Sequence, residues 1–301
     1  HYYAFPGIDS RDMASRALLR IAVIGVFEDK LEAGIKTKDE VLISKAQAMI
    51  KVLFNELKTD FDVKDLSDYI LVSIGDFLRE KTSSTGQAKP YYQAALDSSD
   101  PSYEFPALFG LADVLGSGSS AEQKKAVMLL DRVYADAKKD QKEKAIFRIV
   151  TISFGNKEYD ETIKRGREYL DDKSFKQRSS ADVRLLIAQS YDALGKSEDA
   201  IAIYGQIWTT SPGYVKVSGP SLKRWMELLW DRNGTNREDG KSDRQKVYEE
   251  GWKWLNNTKG FKSKLSDPET ASWTAVESLV SEYEARTEIK SMEDILEEQK
   301  K

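Results

Sequence analysis

With 301 residues, 40% of them hydrophobic and 32% charged, the chain can fill a core and exceeds one compact domain, so two domains or one elongated, repetitive fold are expected. A net charge of −4, from 46 basic and 50 acidic residues, lacks the positive excess of a nucleic-acid binder. There is no cysteine and His1 is the single histidine, which excludes a Cys/His zinc site, a Cys–His or Ser–His–Asp nucleophile and a CxxC redox pair from the body of the chain; no catalytic residue, metal or cofactor is expected.

The spacing of apolar residues predicts helices throughout, and they fall into pairs. Residues 9–31 and 38–57 make a long first pair, with Thr37 and Glu40 at capping-box spacing ahead of its second helix. The apolar run Ala17–Phe27 is broken by Arg20 and is too short to span a bilayer, so no membrane insertion is expected within the chain. From Tyr69 onward the pairs become phased. Tyr69–Leu78 precedes Gln87–Leu96, and Ala107–Leu115 precedes Ser120–Tyr134, where Ser120 and Gln123 stand at capping-box spacing. Gly75 and Gly110 are the small residues of those first helices. Arg148–Leu170 holds a third copy, and residues 188–212, AQSYDALGKSEDAIAIYGQIWTTSP, hold the clearest one. Ala188 and Ala200 let its two helices approach closely, while Tyr191, Tyr204 and Ile207 fill the space around them. Gly195 supplies a left-handed turn, Ser197 is placed to cap the second helix, and Pro212 stops it.

The small second-helix residue recurs at Ala88, Ala126, Thr162 and Ala200, in steps of 38, 36 and 38 residues. With Ile187, Ala188, Tyr191, Gly195, Ala200, Tyr204, Ile207 and Pro212 on the matching places of the clearest copy, residues 66–214 resemble the tetratricopeptide repeat family, whose unit of ~34 residues is slightly shorter. The third copy departs from the pattern, with Gly166 where a bulky side chain is expected and Ser153 where an aromatic one is. The resemblance implies an all-α fold, a right-handed superhelix of antiparallel helical hairpins forming an α-solenoid. Around the repeats stand an N-terminal helical pair (1–65), a C-terminal pair plus capping helix (215–288), and a charged tail (289–301) expected to fray. The C-terminal pair is expected at Pro220–Arg232 and Ser242–Leu255, and the capping helix opens at Asp267-Pro268-Glu269.

Tetratricopeptide proteins bind peptide segments or helices on a concave face lined by first-helix residues. The matching positions in this sequence include Asp76, Arg79, Leu111, Phe147, Thr151, Phe154, Leu185, Gln189 and Asp192. The resemblance therefore implies a non-enzymatic scaffold or adaptor that captures a protein or peptide partner. The cysteine-free composition slightly favours a periplasmic or envelope-associated bacterial setting over the cytoplasm. The alternative function is carbohydrate or peptidoglycan binding by the tryptophans, all six of which lie at or after Trp208. Trp252 and Trp254 are two apart on a predicted helix and cannot share one narrow buried stripe, so one of them is expected to be exposed as part of an aromatic patch. The Gly-Lys-Ser triplets at 195–197 and 240–242 lack the glycine spacing of a phosphate loop and are turns. Lys253, Lys259, Lys262 and Lys264 surround Trp254 and Phe261, but Glu249, Glu250 and Asp267 dilute their field, and no nucleic-acid partner is expected.

Overall fold

The structure, a computed structural model, describes residues 13–81, 85–98, 101–234, 242–286 and 289–298. Residues 9–12 of the expected first helix, and Gly240 and Lys241 of the second Gly-Lys-Ser triplet, lie outside the described residues. Fourteen α-helices run through the described residues. They are α1 (Met13–Thr37), α2 (Glu40–Asp60), α3 (Asp68–Lys81), α4 (Lys89–Asp97), α5 (Pro101–Gly116), α6 (Ser120–Asp136) and α7 (Lys139–Gly155). They continue as α8 (Tyr159–Asp171), α9 (Ser180–Ala193), α10 (Ser197–Thr210), α11 (Val215–Arg232), α12 (Asp243–Thr258), α13 (Asp267–Glu284) and α14 (Met292–Glu298). Adjacent helices pack against each other in pairs, so the fold is all-α. The chain divides into two compact units, residues 1–137 and 138–301, and the division falls between α6 and α7, inside the stretch 66–214.

In the N-terminal unit α1 packs on α2, α3 on α4 and α5 on α6, with α3 beside α5. Ala88 and Ala126 are wholly buried, as their small size predicts. Gly75 of α3 and Gly110 of α5 both face the ring of Tyr92 on α4: a Cβ at Gly110 would lie 2.2 Å from the ring, and one at Gly75 would lie 2.7 Å from it. Three helices thus meet around one buried aromatic side chain, an approach that only glycine permits at both positions.

In the C-terminal unit α7 packs on α8, α9 on α10, and α11 on α12 and α13. Ala188, Ala200, Tyr204 and Ile207 are buried, as expected. Gly195 adopts a φ of +72°. Its N–H reaches the Asp192 carbonyl while the Lys196 N–H reaches that of Tyr191, both at 2.9 Å, which satisfies carbonyls that α9 leaves open. The preceding hairpin makes the same two bonds around Lys157, at a φ of +62°. A side chain costs about 1 kcal/mol or more in this conformation, so Lys157→Gly is expected to stabilise the C-terminal unit by about 1 kcal/mol in urea unfolding; a loss of stability would contradict the strain. Gly166 does not leave a gap, because Ile187 of the next hairpin occupies the space where its Cβ would stand, 2.7 Å away. Ser153, where an aromatic residue was expected, is wholly buried and its hydroxyl has no hydrogen-bond partner among the described residues.

Several helix ends differ from expectation. Thr37 ends α1, its hydroxyl on the Ala33 and Gly34 carbonyls, and Asp39 caps α2 by accepting from the Leu42 N–H at 3.0 Å. The caps of α6 and α13 are Ser119 with Glu122 and Ser266 with Glu269, each one residue ahead of the expected cap. Ser197 is the first residue of α10 and makes no cap. Helix α11 starts at Val215, so Pro220 lies inside it, where the missing N–H leaves the Lys216 carbonyl without its intrahelical donor. The tail is also corrected over its described part. The Gln245 side chain accepts from the Lys290 N–H at 2.9 Å, the Tyr248 hydroxyl accepts from the Met292 N–H at 3.1 Å, and Met292 is buried, so the start of α14 is pinned to α12.

Candidate functional site

The first helices α7, α9 and α11 are neighbours in the C-terminal unit. On α7 the positions Phe147, Thr151 and Phe154 recur at i, i+4 and i+7 and so share a face; Leu185, Gln189 and Asp192 do the same on α9. Thr151 is exposed and the other five are partly exposed. The Phe147 ring leans on Tyr169 and the Phe154 ring meets the edge of Tyr159, with centroids 6.4 and 6.0 Å apart, which fixes both phenylalanines without burying them. Beside α9 lies an open recess of about 440 Å³, lined by Leu185, Gln189, Asp192, Ala193, Tyr204, Pro220 and Arg224. It brings together the three site residues expected on α9 and adds three from α10 and α11. The Arg224 guanidinium grips Asp192 through Nε at 2.6 Å and Nη2 at 3.0 Å, and its Nη1 reaches Glu227 at 3.1 Å. The hydrogen bonds to Asp192 raise the pKa of Arg224 above its ordinary value, so the guanidinium stays charged. Burial pushes the Tyr204 phenol up as well, reinforced by the nearby Asp192 charge.

In the N-terminal unit the expected residues Asp76 and Arg79 are drawn into a polar knot. Arg79 donates to Asp113 at 2.6 Å, Glu80 at 2.7 Å, Asp76 at 3.2 Å and the Tyr92 hydroxyl at 3.1 Å, while Tyr92 donates to Asp76 at 2.7 Å. Burial, and the Asp76 carboxylate it donates to, hold the Tyr92 phenol above its ordinary pKa. Leu111, expected on the binding face, is 3% exposed and belongs to the core, because α5 is apolar nearly all round. The same unit holds a second recess of about 590 Å³, lined by α1, α2 and Phe77 of α3, and in its lining Phe54 stacks on Phe77 with centroids 4.6 Å apart. Nothing in the sequence pattern singled it out.

The tryptophans mainly join helices. Trp230 stacks on Tyr283 at 3.8 Å, Trp208 packs on Trp225 at 5.2 Å, and the Trp273 N–H donates to the Thr258 hydroxyl at 3.0 Å. Lys262 lies over the Trp273 ring at 3.6 Å and also pairs with Glu277. Trp254 is 2% exposed, so of the two candidates for an exposed aromatic only Trp252, partly exposed, reaches the surface.

Among the described residues no group of His, Cys, Asp and Glu could hold a metal ion, and no helix is long and apolar enough to cross a membrane. The sequence reading placed neither Arg224 nor Pro220 at the site, although Arg224 lies 32 residues after Asp192 much as Asp113 lies 34 after Arg79, a recurring spacing that links successive first helices. No protein-family model matches the chain, and no curated protein matches it in sequence. The described residues define an all-α protein of packed helical pairs with an accessible first-helix face.

Proposed function

We propose that this chain is a non-enzymatic, protein-binding α-solenoid of the tetratricopeptide type, and that it captures a peptide or helix from a partner protein on its first-helix face. The observation that carries the reading is the alignment of Phe147, Thr151 and Phe154 with Leu185, Gln189 and Asp192 on neighbouring helices, beside an open recess. Partly exposed, fixed aromatic rings are the kind of anchor that protein interfaces use. The N-terminal counterparts Asp76 and Arg79 are engaged with each other and with Asp113, so the capture surface is centred on α7 and α9. Sugar binding by Trp252 and Trp254 draws no support from the burial of Trp254.

Replacing both rings, Phe147→Ala with Phe154→Ala, is expected to abolish partner capture in pull-downs while circular dichroism keeps its helical signal. Gln206→Ala, an exposed residue on the second helix of the neighbouring hairpin, should leave capture unchanged. An identical set of partners on the double variant and the wild type would overturn the proposal.

A further inference from the structure

Tyr92 and Tyr204 occupy equivalent places, four residues after the small second-helix residues Ala88 and Ala200, and both are buried to 2% exposure or less. Their hydroxyls differ. That of Tyr92 is bonded by Asp76 and Arg79. At the matching places of the C-terminal unit stand Gln189 and Asp192; Asp192 is taken up by Arg224, and the Tyr204 hydroxyl has no hydrogen-bond partner among the described residues. The Gln189 amide is likewise unengaged, and both side chains line the 440 Å³ recess. The Tyr204 ring is thus buried in the core while its residue lines an open recess with a hydroxyl that no described protein group engages.

The charges around it are balanced. Asp192 and Glu227 face Arg224 and Lys223, with Lys223 on Glu227 at 2.6 Å, and three of the five Arg224 N–H groups are already committed to the two carboxylates. A carboxylate or phosphate would therefore meet no net positive charge there, and an ammonium no net negative one. The remaining walls, Leu185, Ala193 and Pro220, are apolar. The neutral groups left without a partner among the described residues are one hydroxyl and one carboxamide, beside apolar surface, in a volume suited to a small group.

Resting on the reading of this face as a peptide-capture surface, we propose that the recess seats one neutral peptide bond of the partner, whose carbonyl accepts from the Tyr204 hydroxyl. Its N–H donates to the Gln189 side-chain oxygen, and the adjoining apolar side chain packs on Leu185, Ala193 and Pro220. The recess reads main chain and apolar bulk, and takes no charged terminus.

The test uses the full chain with labelled Leu and Ala methyl groups, titrated with N-acetyl-L-leucine N-methylamide and, separately, with 4-methylpentanoate, a carboxylate with the same apolar branch and no peptide bond. The amide is expected to shift the Leu185 and Ala193 signals saturably. The carboxylate, and the amide on Tyr204→Phe or Gln189→Ala, should bind about fivefold more weakly or worse, the loss of one neutral hydrogen bond. Equal binding by Tyr204→Phe and Gln189→Ala, equal binding of the carboxylate, or no shift with the amide would overturn the proposal. If the amide is silent while the double phenylalanine variant still loses its partners, the capture face stands and the peptide-bond seat falls. If the amide binds but that variant captures normally, the seat stands without the capture face.

Discussion

Gly110→Ala is expected to destabilise the N-terminal unit by about 3 kcal/mol, the upper part of the range for overpacked cores. On helix propensity alone the change should help by about 1 kcal/mol. Sterics decide the sign. The new methyl would stand 2.2 Å from Cε1 and Cζ of Tyr92, and the ring cannot retreat: a Cβ built at Gly75 on α3 would also lie 2.7 Å from it, its hydroxyl is held by Asp76 and Arg79, and it is wholly buried. Urea unfolding of the full chain measures the loss. Pairing Gly110→Ala with Tyr92→Leu should recover much of it, giving a coupling energy that two independent sites would not show. A single-variant effect within about 0.5 kcal/mol, as at ordinary surface positions, would mean that the junction of α3, α4 and α5 is loose.

That junction was legible in the sequence because it is made of repeated, size-specific residues. Gly75, Gly110, Ala88 and Tyr92 stand at phased places, and the need for small beside large survives any drift in helix boundaries. Gly195 was legible for a similar reason, since a left-handed turn has few tenants, though Lys157 shows that the same turn can be made at a cost by a residue the pattern does not flag. Caps were read one or two residues off because Ser119 and Ser120, Ser266 and Asp267, and Thr37 and Asp39 offer the same chemistry side by side, and only the realised backbone selects between them. Pro220 misled as a start signal, as it does whenever a helix tolerates proline in its second turn. Leu111 was assigned to the binding face by its repeat position, but neighbours on both sides of α5 close over it. The Asp192–Arg224 pair was invisible because it depends on how successive first helices slide past each other, which residue spacing within one hairpin does not fix.

Tyr204→Ala is expected to cost the C-terminal unit about 3–5 kcal/mol, by analogy with other buried aromatic truncations, since it empties a position that is 2% exposed, on α10 where it packs against α9 and α11. Tyr204→Phe should cost less than about 0.5 kcal/mol, because the hydroxyl it removes has no internal partner and the ring volume is kept. The same change at the equivalent residue, Tyr92→Phe, should cost about 1–2 kcal/mol, because it takes away a hydroxyl bonded to both Asp76 and Arg79 in a part-buried network. Urea unfolding of the three variants separates ring from hydroxyl at each site. A Tyr204→Phe loss as large as that of Tyr92→Phe would show an internal partner for the Tyr204 hydroxyl and would remove the physical basis for a ligand there. The predicted contrast means that one repeat position serves two ends: at Tyr92 the phenol locks three helices together, and at Tyr204 the ring alone does so, which leaves the oxygen free to face the recess.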